Sequence, residues 1–145
     1  MSNIKEKSPI LIFGATGSIG KETARLLRNN KMNVILSSSK KNKNILELSK
    51  QLSSPYICLD LSKEVNINTL RKKITNITDS LSGLIITVAK PFPKKLIHNT
   101  DVSVLNEQLN IHIVALHKII NVCLPLLENS KKSISRVIYI STEYL

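Results

Sequence analysis

An α/β fold, with a parallel sheet of about five strands and helices on both faces, is what this sequence predicts from three observations. Five short apolar runs recur along the chain, separated by amphipathic stretches of helical spacing. The runs are continuous, as strands buried on both faces are, where half-buried strands would alternate. Three of the chain's four glycines, Gly14, Gly17 and Gly20, follow the first run, where a strand must turn into a helix.

Ile10 to Phe13 is the first strand, and it ends at Gly14. Thr23, Ala24, Leu26 and Leu27, set among Lys and Arg, then mark a helix face. Asn29, Asn30 and Asn33 break that helix before a second run, Val34 to Leu36. Ile45, Leu48 and Leu52 mark the next helix, and Tyr56 to Leu59 the third strand. Ser62 is placed to cap a helix carrying Ile67, Leu70, Ile74 and Ile77. Gly83 opens the fourth strand, Leu84 to Ala89. After Pro91 and Pro93, Thr100 or Asp101 caps a long helix with Val102, Leu105, Leu109, Ile113, Leu116 and Ile120 on one face. Pro125 falls in its last turns. The fifth run is Val137 to Ile140. With 145 residues, no internal repeat and no linker, residues 1–145 form a single domain.

The formal charge is +11, from 21 Lys and Arg against 10 Asp and Glu, which raises nucleic acid or an acidic membrane as partners. The basic groups are scattered in short runs, and aromatics are only 3%, too few for a base-stacking platform. A Lys-rich solvated surface is the expectation, with no nucleic acid and no membrane. No apolar run approaches the roughly 18 residues that cross a bilayer, and Met1 to Pro9 has no signal core. Cys58 and Cys123 lie in apolar stretches, where a thiol serves as a small hydrophobe. The expected compartment is the reducing cytoplasm. His98, His112 and His117 lack metal-site spacing, so no metal is expected. No G-x-S-x-G elbow and no G-K-[ST] occur.

The chemistry sits in Gly14-Ala15-Thr16-Gly17-Ser18-Ile19-Gly20. Glycine lets the backbone turn tightly and approach a phosphate, and the free N–H groups of the following helix attract its charge. Ser18 adds a hydroxyl donor or a cap. The spacing G-x-x-G-x-x-G, together with the fifth-strand run Ile138-Tyr139-Ile140-Ser141-Thr142, resembles the short-chain dehydrogenase/reductase family. That resemblance implies a Rossmann-like sheet in the order 3-2-1-4-5, and a cofactor, NADP or NAD, whose pyrophosphate lies on Gly14, Thr16, Gly17, Ser18, Ile19 and Gly20. Commoner members have glycine where Ser18 stands.

NAD-specific proteins carry an acid about 20 positions after the first glycine. Every residue between Glu22 and Glu47 is neutral or basic. Ser37, Ser38, Ser39, Lys40 and Lys41 instead suit a 2′-phosphate, so NADP is the expected cofactor, with Ser38, Ser39 and Lys40 as its binders. A solvated Ser/Lys loop is the competing reading. By resemblance Asp60 and Leu61 border the adenine; Asp60 could equally cap the next helix. Thr87-Val88-Ala89-Lys90 stands where commoner members read Asn-Asn-Ala-Gly, and only Ala89 matches.

Hydride transfer to or from a carbonyl needs a proton donor on the substrate oxygen. The family uses a Tyr with a Lys four residues later, a hydroxyl residue after the fifth strand, and an Asn in the preceding helix. Thr142 and Ser141 match the hydroxyl positions and Asn110 the Asn. No Y-x-x-x-K is present: Tyr56 is followed at that distance by Asp60, and Tyr139 by Glu143. The resemblance covers nearly the whole chain and the first half of the family's domain, so the fold is expected to be C-terminally incomplete. The expected function is the cofactor-binding half of an NAD(P)-dependent oxidoreductase acting on a small carbonyl or alcohol. A non-enzymatic dinucleotide-binding sensor or scaffold is the alternative. An uncovered fifth strand and apolar residues around the long helix (Val104, Ile111, Val114, Ile119, Val122) predict a homo-oligomer, or a partner chain supplying the missing half.

Overall fold

The computed structural model describes residues 8–89, 97–130 and 134–140. Its elements are β1 (Ile10–Phe13), α1 (Ser18–Asn29), β2 (Val34–Ser38), α2 (Lys43–Leu52), β3 (Tyr56–Cys58), α3 (Ile67–Thr75), β4 (Gly83–Ile86), α4 (Val102–Leu109), α5 (Ala115–Glu128) and β5 (Arg136–Tyr139). The five strands form one parallel sheet in the order β3-β2-β1-β4-β5.

Alternation along β1 divides the core into two layers. Leu11 and Phe13 face the layer that contains Leu70 and Ile74 of α3 and Ala115, Ile119 and Val122 of α5. Ile10 and Ile12 face Ala24 of α1 and Ile45 and Leu48 of α2. Burying each Leu or Ile side chain stabilises the fold by roughly 1.5–3 kcal/mol, and β1, β2 and β4 are each covered on both faces.

The helix starts differ from the sequence expectation at two places. Gly17, not Ser18, is the N-cap of α1, and no side chain caps it. The cap of α3 is Asn66, whose Oδ1 accepts from the Thr69 N–H at 3.0 Å. Ser62 is occupied elsewhere: its N–H and hydroxyl both donate to Asp60 Oδ1, at 3.0 and 2.6 Å. Asp60 therefore closes a tight turn and does not cap α3. Of the two candidates before α4, Asp101 is the cap, accepting from the Ser103 N–H at 2.7 Å; hydrogen bonding by the Ser103 side chain, and secondly by its backbone N–H, holds the Asp101 carboxyl below the usual carboxylate range.

The long helix departs further. A π-helical turn, Asn110–Val114, separates α4 from α5. The face expected to be buried is largely solvent-facing: Val102, Leu105, Leu109 and Ile113 are exposed, and Leu116 and Ile120 only half-buried. The core contacts come from Ile111, Ala115, Ile119, Val122 and Cys123. The less exposed side runs through Val104, Gln108, Ile111, Ala115, Ile119 and Val122, in steps of three and four that continue through the π turn, so the chain carries two apolar faces of helical spacing and the core takes this one. Val102–Glu128 as a whole is long and apolar enough to cross a membrane by length and composition alone, although α5 packs against the sheet.

At the amino-terminal end of the strands, buried hydroxyls tie β1 to β4. Ser8 donates to Ser80 at 3.0 Å across 72 residues of sequence, and Ser82 donates to the Ser8 carbonyl at 2.7 Å.

Candidate functional site

The strand order reverses at β1, which has β2 on one side and β4 on the other. In an open parallel sheet that reversal leaves a crevice beyond the carboxyl ends of the strands. A cleft of about 350 Å³ lies there.

The Gly14–Gly20 turn forms one wall. Gly14 has φ +80°, a left-handed conformation that favours glycine. The Ala15 N–H donates to the Ser37 carbonyl at 2.9 Å, and the Gly17 N–H to the Gly14 carbonyl at 3.0 Å. A Cβ on Gly14 would meet Thr87 Oγ1 at 2.7 Å, so Gly14 is required for space as well as for its φ. Gly20 faces inward against the same groups: a Cβ there would collide with the Gly14 carbonyl and lie 2.8 Å from Thr87 Oγ1. Gly20 thus sets how closely α1 approaches the turn and does not itself line the cleft.

The first backbone bond into α1 runs from Lys21 N–H to the Gly17 carbonyl. The N–H groups of Ser18, Ile19 and Gly20 precede it, no side chain caps them, and no acidic residue lies in the first turn. An anion placed there meets free donors and the positive end of the helix dipole.

Ser37, Ser38 and Ser39, at the end of β2, form the next wall. Ser38 is buried, and its Oγ lies 3.4 Å from Thr16 Oγ1, so two hydroxyls converge between the turn and β2. Lys40 and Lys41 are exposed, and Lys40 lies outside the cleft lining. Asp60 and Leu61 close the far end. The Asp60 carboxylate is held by Ser62, as described above.

The opposite wall is Thr87, Val88 and Ala89, following β4, together with Ile111. Asn110 donates through Nδ2 to the Leu61 carbonyl at 3.3 Å, tying the π turn to the cleft's far end. His112 Nδ1 and the Tyr139 hydroxyl lie 2.8 Å apart beside it. Ser141, Thr142 and Lys90 lie outside the described residues. Of the residues singled out from sequence, Gly14, Thr16, Gly17, Ser38, Ser39, Asp60, Leu61 and Ala89 share the cleft; Ser18, Ile19, Gly20 and Lys40 do not line it.

Thr87, noted from sequence only as a departure from the commoner family pattern, has a role that the sequence did not reveal. Its hydroxyl donates to the Phe13 carbonyl at 2.9 Å, next to the Phe13 bond made by its own N–H at 3.0 Å. It fixes the base of the glycine turn to β4. The fourth strand, expected over Leu84 to Ala89, ends at Ile86, and the lone hydroxyl of Thr87 in that apolar run was the available signal.

A protein-family model described as enoyl-(acyl carrier protein) reductase matches residues 14–144. Among solved structures, a short chain dehydrogenase from Shigella flexneri 2a complexed with NADP superposes with a TM-score of 0.84 at 19% identity, covering 98% of this chain and 62% of that one. One from Pseudomonas syringae gives a TM-score of 0.80 at 18% identity, covering 90% and 56%. The NADH-dependent reductase A1-R′ complexed with NAD gives 0.81 at 22% identity, covering 94% and 59%. The chain thus spans about three-fifths of the length of these proteins. No curated protein matches it.

Proposed function

The chain belongs to the short-chain dehydrogenase/reductase family, and on that premise we propose that it is the dinucleotide-binding half of an NADP-preferring oxidoreductase acting on a small carbonyl or alcohol. One observation carries the reading: the left-handed Gly14 turn delivers the uncapped amino end of α1, without a first-turn acid, to a cleft at the strand-order reversal. That arrangement fits a pyrophosphate, because donors and dipole are in place and no carboxylate opposes them. Ser18 and Ile19 offer it backbone N–H groups. Thr16, Ser38 and Ser39 offer hydroxyls to the adjoining ribose, and Asp60 with Leu61 borders the adenine. Asn110, Ser141 and Thr142 are the substrate-side residues of this reading.

The nicotinamide ring, when bound, supplies or accepts the hydride. A proton must then move at the substrate oxygen, and the 145 residues contain no Tyr with a Lys four positions on. The chain by itself is therefore a binding unit. Titration of the 145-residue chain with NADPH, read by nucleotide fluorescence, is expected to saturate, while carbonyl reduction stays negligible. Absence of saturable binding at millimolar NADPH would overturn the binding assignment, and robust steady-state turnover would overturn the second part.

A further inference from the structure

Residues 59–65 join β3 to the Asn66 cap of α3, and four of them, Leu59, Asp60, Leu61 and Ser62, close the far end of the cleft. A connecting segment of this kind is ordinarily the most mobile part of a wall, because its backbone lies outside the ladders and helices. Here it is fastened from behind. Leu61 and Val65 are 5% and 3% exposed and sink into the layer that α3 and α5 form.

The backbone is fastened as well, by side chains from far along the chain. The Leu61 carbonyl accepts from Asn110 Nδ2 and the Val65 carbonyl from Lys118 Nζ, each at 3.3 Å, across 49 and 53 residues of sequence. Lys118 also lies 4.0 Å from Glu64. Asn110 opens the π turn and Lys118 stands in the first turn of α5, so both tethers come from the helical stretch that carries Ile111 of the opposite wall. Neither Asn110 nor Lys118 lines the cleft itself.

We propose that Asn110 and Lys118 are positioning residues for the adenine end of the dinucleotide: they hold residues 59–65 in their binding shape before the nucleotide arrives, and act on it through that segment alone. The inference rests on the reading given above, which puts the adenine at Asp60 and Leu61. A wall already ordered spares the ligand the entropy of ordering it, and the saving appears as affinity. Asn110 fastens a residue that lines the cleft, whereas Lys118 fastens one buried behind it. Loss of the Asn110 tether is therefore expected to have the larger effect.

Fluorescence titration of the 145-residue chain with NADPH, followed by displacement with adenosine 5′-monophosphate, reads the whole ligand and its adenine end in turn. Asn110→Leu and Lys118→Met keep most of the side-chain bulk and lose the donor. Each is expected to weaken the monophosphate by about threefold to tenfold, the worth of one hydrogen bond, in a chain whose circular dichroism is unaltered. Lys118→Arg retains a donor and should stay within about twofold of the unaltered chain. Because both tethers fasten one segment, the double variant should lose less than the product of the two single losses. Should Asn110→Leu fail to fold, the two Lys118 variants decide alone, since that side chain is 24% exposed and its replacement leaves the core intact. Folded variants that bind the monophosphate as tightly as the unaltered chain overturn the assignment while the cofactor site stands. So do equal losses in Lys118→Met and Lys118→Arg, a double loss equal to the product, or bound NADPH that millimolar monophosphate does not displace. If NADPH does not bind the unaltered chain, the cofactor reading and this inference fall together.

Discussion

A Cβ on Gly20 would collide with the carbonyl group of Gly14, so the first turn of α1 sits directly on the turn that precedes it. Gly20→Ala must push the two apart. Overpacking of this kind costs about 1–3 kcal/mol, and the displaced turn should also lose NADPH affinity. Gly17→Ala is the contrast. Its Cβ would lie 3.3 Å from the Gly14 carbonyl, and its φ of −73° suits any residue, so a loss below about 1 kcal/mol is expected. Urea unfolding of the two variants checks the order, and equal losses would contradict this account of the contact.

Thr87→Val keeps the shape of the side chain and removes its hydroxyl. The Phe13 carbonyl retains the bond from the Thr87 N–H, so no acceptor is orphaned. The expected loss is near the lower end of a hydrogen bond's net value, about 0.5–1 kcal/mol. Denaturation measures it, and a loss above 2 kcal/mol would mean that the hydroxyl holds more than the turn.

Burial pushes the Cys123 thiol from its ordinary 9.0 up to about 12. The folded chain keeps a proton that the unfolded chain releases above pH 9, so this contribution is intact below pH 9 and declines between 9 and 12. The slope approaches roughly 1.4 kcal/mol per pH unit. Cys123→Ala should flatten that part of the stability curve. In thiol labelling at pH 8, Cys58, only half-buried, should react first, and Cys123 only on unfolding.

Val102, Leu105, Leu109 and Ile113 form an exposed apolar stripe, with Val102 68% and Ile113 59% accessible. Such a stripe favours association. The chain is expected to self-associate at micromolar concentration, and Leu105→Lys with Leu109→Lys should shift it toward monomer without loss of secondary structure. Light scattering decides this, and a monomeric unaltered chain that excludes hydrophobic dye would count against it.

The strands were legible because each is a continuous apolar run, and the glycine turn because its residues are adjacent in sequence. Thr87 was not, since its bond to Phe13 spans 74 residues and exists only once β4 lies beside β1. Ser62 and Asn66 are both good capping residues; the turn closed by Asp60 decides between them, and that is a matter of three-dimensional closure. The buried side of the long helix was misread because the helix carries two apolar faces of the same 3.6-residue period, and only packing against the sheet selects the one through Ile111, Ala115, Ile119 and Val122.

The Ser8–Ser80 clasp also bears on how the molecule comes to be folded. β1 and β2 are close in sequence and can meet early, but the other side of β1 must wait for β4. Bringing the clasp together closes a loop of 72 residues before any bond rewards it. Sheets dominated by such distant pairings fold slowly. During synthesis the apolar β1 therefore emerges before β4 and stands half-paired until β4 arrives, which makes the interval between them the window in which a chaperone has most to protect.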